Sequence, residues 1–372
     1  MASLRSTLCR SSRTIRPPRS TCVYATHSTR TYCKANIGQR KDATRPLQRL
    51  CPYTATTVSR HHSTQQHSPE RSPINTAQDP RIYPIFEATT GTFQYIVADP
   101  SSNASVIIDP VLDFDPCTST ISTTSADALL TLISKEYLNI HYILETHAHA
   151  DHISAASYLQ AQLSKTQTRP QIGIGARIDA VQKLFGARYG VPPAEYSTAF
   201  DRLFSDDELL TVGGMHITAM HLPGHTPDHM GYRIGANVFC GDSLFHADIG
   251  TARTDFPGGS ARALWASAQK LLALPDETRI WTGHDYPPEG ARAPVAVMTV
   301  RQHREENRHV GVDRGEEEFV DIRMQRDKAL GAPRLLHQSL QVNVRGGRLP
   351  AADEDGRRML RVPLKLHGTE SW

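Results

Sequence analysis

The chain has 372 residues, enough for one large domain or two ordinary ones, and 21% of them are charged. This length excludes a small disulfide-stapled scaffold, and no apolar run reaches the roughly 18 to 20 residues that a membrane span needs. The net charge of +3 conceals an uneven distribution, because residues 1–80 hold 13 basic and three acidic residues. The rest holds 28 basic and 35 acidic residues, a net charge of −7. An acidic body of this kind argues against nucleic acid as the partner.

Residues 1–80 are rich in Ser, Thr and Arg, nearly free of acidic residues, and lack the apolar stretch of a secretory signal. This composition predicts a mitochondrial transit peptide and a matrix location, with a disordered tail as the alternative. Four of the six cysteines lie in this segment: Cys9, Cys22, Cys33 and Cys51. The remaining Cys117 and Cys240 predict no disulfide framework, which fits a reducing compartment.

The ordered chain is expected to begin near Ile82 with a run of strands and helices. Three strands rich in apolar and β-branched residues are predicted first, at Ile82–Glu87, Thr92–Ala98 and Ala104–Ile108. An amphipathic helix is predicted over Ser125–Leu138 with Ser125 as its N-cap, and it leads into a strand at His141–Glu145. Alternation of strand, helix and strand is typical of a layered α/β protein.

The same signals predict further elements along the rest of the chain. Helices are predicted at Ser154–Leu163, Ala176–Phe185, Ala261–Leu274, Val295–Asn307 and Glu316–Leu330. Strands are predicted at Ile172–Gly175, Met215–His221, Gly231–Ile234, Val238–Cys240 and Arg279–Thr282, with an extended tail at Ser339–Arg345. Ser260 is placed to cap the helix that begins at Ala261. The predicted organisation is a leader over 1–80, an α/β domain over 81–290, and C-terminal helices and tail over 291–372 packed on that domain.

Four side chains able to bind a metal follow the strand that ends at Glu145. They fall within six residues: His147, His149, Asp151 and His152. His147 and His149 can point the same way, because side chains alternate along an extended segment. Asp151 and His152 can then turn into a neighbouring pocket, so this loop can furnish ligands for two adjacent cations.

Three later loops also place a metal-competent residue directly after a predicted strand. His225 follows Pro-Gly, and Asp242 and His284 each follow a glycine. A glycine beside the ligand lets the backbone approach a metal closely. A single His or Asp at a strand end is more often structural, but four such loops in order predict a metal site.

The loops THAHADH, PGHTPDH, CGDSLF and GHDY resemble, in order and spacing, the metal loops of the metallo-β-lactamase superfamily. The resemblance extends from Ile82 to about Pro288 and implies a four-layer αββα sandwich with the metal at the edge between two sheets. Within the superfamily the chain is similar to the persulfide dioxygenases. The matching segments are FEATTGTFQYIVAD, IIDPVLD, GTARTDFPGG, EEFVDIRM and the pair Arg304 and Asn307.

This resemblance implies one Fe(II) per chain, held by His147, His225 and Asp242. Two histidines and a carboxylate on one face are the ligand set of non-heme Fe(II) oxygenases, and they leave coordination positions open. The implied substrates are glutathione persulfide and O2, and the products are sulfite and glutathione. The other candidates would orient the ligands through hydrogen bonds: His149, Asp151, His152 and His284.

The resemblance also suggests residues that contact the substrate. Arg304 aligns with an arginine of the family that contacts glutathione, and Arg253 is a second candidate to receive a carboxylate. Pairing of Arg253 with Asp255 is the alternative for that residue. Tyr286 would donate its hydroxyl to bound substrate, or it is a structural phenol.

The leading alternative is a glyoxalase II-like thioesterase with two zinc ions and a bridging hydroxide. One zinc would take His147, His149 and His225, and the other Asp151, His152 and His284, with Asp242 bridging. Ligand identity does not separate the two functions, but the matched flanking segments favour the dioxygenase. An alternative of another class is a non-catalytic metal-binding module.

The chain also departs from compact dioxygenases in three places: between Cys117 and Ala126, over Ser164–Asp207, and after Val344. These departures leave open a different persulfide as substrate, or a bacterial-type hydrolase-like relative with weak activity. A homodimer is also left open.

Overall fold

Two six-stranded sheets form the centre of the fold in the computed structural model, which describes residues 79–288 and 290–364. The first sheet has the order β1-β2-β3-β6-β8-β9, with bounds Arg81–Glu87, Thr92–Ala98, Ala104–Ile108, Asn139–Leu144, Gln171–Gly175 and Arg202–Phe204. The second runs from β10 to β15 in order, with bounds Glu208–Val212, Met215–His221, Met230–Ile234, Asn237–Phe239, Arg279–Trp281 and Val297–Thr299. A small third sheet joins β5 (Thr120–Ser122), β4 (Val111–Asp115) and β7 (Ile153–Ser154). The predicted leader lies outside the described residues, apart from its last two.

Eight helices connect or flank these strands in the described part of the chain. Their bounds are α1 Thr124–Lys135, α2 Ala156–Leu163, α3 Ile178–Tyr189, α4 Pro193–Tyr196, α5 Ala261–Leu272, α6 Val300–Glu306, α7 Glu316–Ala329 and α8 Leu336–Asn343. Among the described helices, none combines the length and the apolar character needed to cross a bilayer.

Alternate side chains of the strands fill separate hydrophobic layers. Val97 and Ile217 lie in the core between the two large sheets, whereas Ile96 on the opposite face of β2 packs with Leu129 of α1. The outer face of the second sheet packs against α5 through residues such as Leu264. Helices therefore cover both outer faces of a sheet pair, which confirms the predicted αββα arrangement.

The structure corrects two of the predicted elements and confirms the cap of a third. Ser125 does not cap α1, because its hydroxyl donates to Asp113 Oδ1 at 2.6 Å from inside the first turn. Ser260 does cap α5, accepting from the amide of Ala263 at 3.3 Å. The predicted extended tail at Ser339–Arg345 is mostly helix, since α8 runs to Asn343 and is buried over its last five residues.

The ligand-bearing loops all leave strands that end at one edge of the two sheets. β13 pairs in parallel with β14, and β11 runs in the same direction because β12 is antiparallel to both of its neighbours. The loops after β11, β13 and β14 therefore meet at one end of the second sheet. The loop after β6 joins them, since the amide of Met230 donates to the carbonyl of Thr146 at 2.7 Å.

Candidate metal centre

Tight backbone packing brings the four loops together. The amide of Gly283 donates to the carbonyl of Gly241 at 2.9 Å, so the loops after β13 and β14 are in direct contact. Gly241 has φ of +47°, and a Cβ there would lie 2.6 Å from Thr146 Oγ1. A Cβ on Gly283 would lie 2.5 Å from Asp242 Oδ1. These two glycines are required because any larger residue would push the ligand loops apart.

Two imidazoles and one carboxylate form the first cluster. One ligand atom from each of His147, His225 and Asp242 lies within 4.8 Å of the others, and all three residues are buried. His225 Nε2 is 3.7 Å from Asp242 Oδ2. The Nδ1–H of His225 donates to the carbonyl of Arg253 at 2.8 Å, which leaves the Nε2 lone pair directed at the cluster.

His147 is oriented by a short hydrogen-bond chain. Its Nδ1 lies 2.9 Å from the hydroxyl of Thr146, and that hydroxyl donates to Asp109 Oδ2 at 2.8 Å. Because the hydroxyl proton goes to the carboxylate, the hydroxyl oxygen accepts from the Nδ1–H of His147. His147 Nε2 is therefore the unprotonated nitrogen and is available to a metal.

A second cluster contains His149, Asp151 and His152, again with ligand atoms within 4.8 Å of one another. Asp151 Oδ2 lies 3.1 Å from His152 Nδ1 and 3.1 Å from His284 Nε2. His284 Nε2 is also 3.5 Å from Asp242 Oδ1. The Asp242 carboxylate of the first cluster therefore also lies beside His284, which contacts Asp151 of the second cluster.

His149 also joins a buried carboxylate pair that the sequence analysis did not single out. Its Nε2 lies 3.1 Å from Asp109 Oδ1 and 3.3 Å from Glu145 Oε2. Burial opposes a charge on this imidazole, but the two carboxylates together hold its pKa well above the ordinary value. Asp109 thus orients two of the three histidines of this loop, His149 directly and His147 through Thr146.

The residues fit a metal, as judged by buried polar atoms that have no hydrogen-bond partner among the described residues. Four such atoms belong to the two clusters: His147 Nε2, His149 Nδ1, His152 Nε2 and Asp242 Oδ1. Buried polar atoms are rarely left unpaired, and imidazole with carboxylate suits iron and zinc. The geometry accommodates one metal at the first cluster and, with the second cluster, two.

Electrostatics at the site follow from burial and from the carboxylates. Burial holds the pKa of His147 well below its ordinary value, and the neighbouring imidazole of His149 adds to the effect. A neutral imidazole is the form that binds metal. Burial opposes the charge on His284, but Asp242 and Asp151 raise its pKa to about 9. Burial would raise the pKa of Asp151, yet the imidazoles of His284 and His152 hold this pKa well below the ordinary value.

A cavity of about 390 Å³ opens over the first cluster and includes His225, Asp242 and Tyr286 in its lining. Four arginines line it as well: Arg253, Arg323, Arg326 and Arg334. An adjoining cavity of about 300 Å³ shares His225 and Arg253 with it. The space is suited to a small anionic ligand.

The predicted substrate residues have different positions relative to this cavity. Tyr286 lines it with half of its side chain exposed, and its ring stacks on that of His284 at 5.6 Å. Arg253 lines it too, but its guanidinium makes two 2.5 Å hydrogen bonds to Asp255, the alternative that the sequence analysis left open.

Arg304 is not among the described residues that line either cavity. Its guanidinium donates to the carbonyl of Leu272 at 2.9 Å and pairs with Asp276. The structure therefore gives the substrate-binding prediction for Arg304 no support.

The sequence did not predict a role for several residues at the centre, although three of them lie within the matched motifs. Arg323 lies in EEFVDIRM, Asp109 in IIDPVLD and His229 in PGHTPDH, and none was assigned a role. Asn343, in the segment predicted to be extended, donates to the carbonyls of His149 and His152 at 2.8 Å each. No sequence signal marked Asn343, because its contact depends on how α8 docks.

The sequence of this site matches a known family. Residues 91–284 match the Metallo-beta-lactamase superfamily. A Beta-lactamase hydrolase-like protein of Xylella fastidiosa is 44% identical over 297 residues, which cover 79% of this chain and 67% of that protein. Glyoxylase B2 of Dictyostelium discoideum is 40% identical, over 76% of this chain and 96% of that protein.

Persulfide dioxygenases are also similar to the chain, at lower identity. Persulfide dioxygenase ETHE1, mitochondrial, of Homo sapiens is 30% identical over 64% of this chain and 78% of that protein. The crystal structure of ETHE1 from Myxococcus xanthus superposes with a TM-score of 0.58 at 25% identity, covering 72% of this chain and all of that one. The similarity therefore extends to both hydrolase-like and dioxygenase proteins.

Proposed function

The chain belongs to the metallo-beta-lactamase superfamily, and on that premise we propose that it is a persulfide dioxygenase with one Fe(II) between His147, His225 and Asp242. The observation that carries the proposal is the convergence of two imidazole nitrogens and one carboxylate beneath an open cavity. This ligand set is that of the non-heme Fe(II) oxygenases, which keep positions for substrate and O2.

The proposed reaction consumes one glutathione persulfide, one O2 and one water, and yields glutathione and sulfite. The outer sulfur loses four electrons, and O2 accepts them. Iron would supply the activation of O2 and a position for the substrate sulfur. Similarity to the human persulfide dioxygenase supports this substrate class.

Residues of the chain would orient the metal ligands and bind the charged groups of the substrate. Asp109 acts through Thr146 to direct His147 Nε2, and the Arg253 carbonyl directs His225 Nε2. Of the arginines that line the cavity, Arg253 and Arg323 already pair with Asp255 and Asp327. Arg326 and Arg334 form no salt bridge among the described residues and would receive the two carboxylates of a glutathione-type substrate. The hydroxyl of Tyr286 would donate a hydrogen bond to substrate at the cavity wall.

A dinuclear thioesterase is the second candidate, and a specific observation favours it. His149 Nδ1 and His152 Nε2 are also buried without a hydrogen-bond partner in the described part of the chain. One oxygen of Asp242 faces His225 and the other faces His284, as expected of a carboxylate shared by two metals. The 40% identity to Glyoxylase B2 of Dictyostelium discoideum supports this candidate.

Metal analysis separates the two candidates. The full chain is expressed with both iron and zinc in the medium, and the bound metals are counted. We expect close to one iron per chain. Two zinc ions per chain together with hydrolysis of an acylglutathione would support the thioesterase and contradict the dioxygenase.

A further inference from the structure

His229 is a buried imidazole beside the metal centre that belongs to neither ligand cluster. It directly precedes β12, and its side chain is inaccessible to solvent. We infer that His229 is a positioning residue, which fixes the orientation of Asp242 and His147 without binding the metal itself. The inference rests on the proposed metal site but on neither of the two proposed activities.

The first contact of His229 is with the backbone of Asp242. The amide N–H of Asp242 donates to His229 Nε2 at 2.9 Å. A nitrogen that accepts must be unprotonated, so the ring proton of the neutral imidazole is on Nδ1. The bond fixes the peptide between Gly241 and Asp242, and the direction of this peptide sets where the Asp242 carboxylate points.

The second contact is ring to ring. The imidazole of His229 stacks on that of His147 with centroids 4.8 Å apart and an interplanar angle of 28°. His149 lies against His147 as well, at 4.1 Å between centroids. A Cβ on Gly241 would come within 2.9 Å of His229 Nε2, so the ring fills the space beneath this turn. His147 is thereby restricted to the rotamer that directs Nε2 at the cluster.

The neighbours of His229 hold the loop after β6 in place. Asp228 Oδ2 accepts from the amide of Ala148 at 3.1 Å, and the amide of Met230 donates to the carbonyl of Thr146 at 2.7 Å. Three consecutive residues therefore contact two ligand loops that come from different sheets. Loss of the imidazole would leave the Asp242 amide without its acceptor and allow its carboxylate to turn.

The test measures metal binding rather than turnover. Co(II) is titrated into the metal-free full chain, and its visible absorption bands report both affinity and ligand geometry. The variants are His229→Leu, which has no acceptor, His229→Gln, whose Oε1 can take the place of Nε2, and His229→Asn, whose amide is too short to reach. His303→Leu is the matched control, because His303 is equally buried but lies outside both clusters.

We expect His229→Leu and His229→Asn to weaken Co(II) binding by about ten- to a hundredfold and to shift the absorption bands. His229→Gln should retain most of the affinity and the native spectrum, and His303→Leu should change neither. If His229 has only a structural role, all the variants should have a lower melting temperature. The Co(II) absorption spectra of those variants that fold should then be alike.

Equal Co(II) affinity in His229→Gln and His229→Asn would overturn the inference, even if His229→Leu does not fold. Unchanged affinity in a folded His229→Leu protein would do the same. Turnover of an acylglutathione instead of a persulfide by the wild-type protein would refute the proposed function alone, since the Co(II) titration does not depend on the substrate.

Discussion

His225 Nε2 and Asp242 Oδ2 lie 3.7 Å apart, although the two residues follow different strands of the second sheet. Ligand atoms bound to one metal at about 2.0–2.2 Å are at most about 4.4 Å apart. The pair is therefore spaced to bind a single ion without movement of either loop. This pre-formed spacing supports a metal at the first cluster, whether the whole site holds one metal or two.

Substitutions of Asp242 and His149 test the number of metals. Asp242→Ala removes the only carboxylate of the first cluster, and we expect tight metal binding to be lost. His149→Ala should leave most of the iron bound in a one-metal site, because His149 then only supports the ligands. Equally severe loss in both variants would contradict the one-metal site. Asp248→Ala serves as the control, since Asp248 pairs with Arg292 outside both clusters.

Arginine substitutions test which cation receives the substrate. Arg334 is exposed and lines the cavity, and a hydrogen bond to a charged group contributes about 1.5–3 kcal/mol. We expect Arg334→Ala to lower kcat/KM for glutathione persulfide by about tenfold, the lower end of that range, because the side chain is solvated.

Arg304→Ala is the matched comparison. Its guanidinium is bonded to Leu272 and Asp276, so we expect a loss of stability of about 1 kcal/mol and an unchanged kcat/KM. Oxygen-consumption kinetics and urea denaturation measure the two effects. A large fall in kcat/KM for Arg304→Ala, with none for Arg334→Ala, would return the substrate-binding role to Arg304.

The buried imidazole of His303 predicts a pH dependence of stability. Burial lowers its pKa to about 4, and His246 adds to the effect. Between about pH 6.5 and pH 4 the unfolded chain therefore binds a proton that the folded chain does not. The free energy of unfolding then rises with pH and falls on acidification, by up to about 1.4 kcal/mol per pH unit.

His303→Gln removes this titration. In urea denaturation between pH 7 and pH 5, the variant should lose less stability than the wild type. Parallel stability curves for the two proteins would show that His303 does not titrate as the structure implies.

The sequence predicted the regular strands and the convergence of the ligand loops well. Thr92–Ala98, Ala104–Ile108 and Met215–His221 agree residue by residue, because β-branched runs bounded by turns have few alternatives. The ligand loops meet as expected because they follow strands that end at the same edge.

The failures occur where tertiary contacts decide the structure. α8 has a polar sequence, and its residues Gln341 and Asn343 are buried because they bond backbone groups of neighbouring segments. The short strand Val297–Thr299 forms only by pairing with β14, and a helix was predicted there. Substrate binding by Arg304 stays a prediction, although α6 places its guanidinium against the carbonyl of Leu272 at the end of α5.

The leader prediction concerns residues 1–80, and we propose that this segment directs the protein to the mitochondrial matrix. A fusion of these residues to a fluorescent reporter should co-localise with a matrix marker, because an acid-poor, Arg-rich segment suits import. A variant with several arginines replaced by glutamine is the control and should remain in the cytosol. A diffuse signal from the unaltered fusion would refute the prediction.

Oxygen consumption with glutathione persulfide, measured together with sulfite formation, tests the central claim most directly. The iron-loaded full chain should consume one O2 for each sulfite formed, and Asp242→Ala should do neither. An iron-loaded wild-type protein that consumes no O2 with glutathione persulfide, while the zinc-loaded protein hydrolyses an acylglutathione, would contradict the dioxygenase proposal.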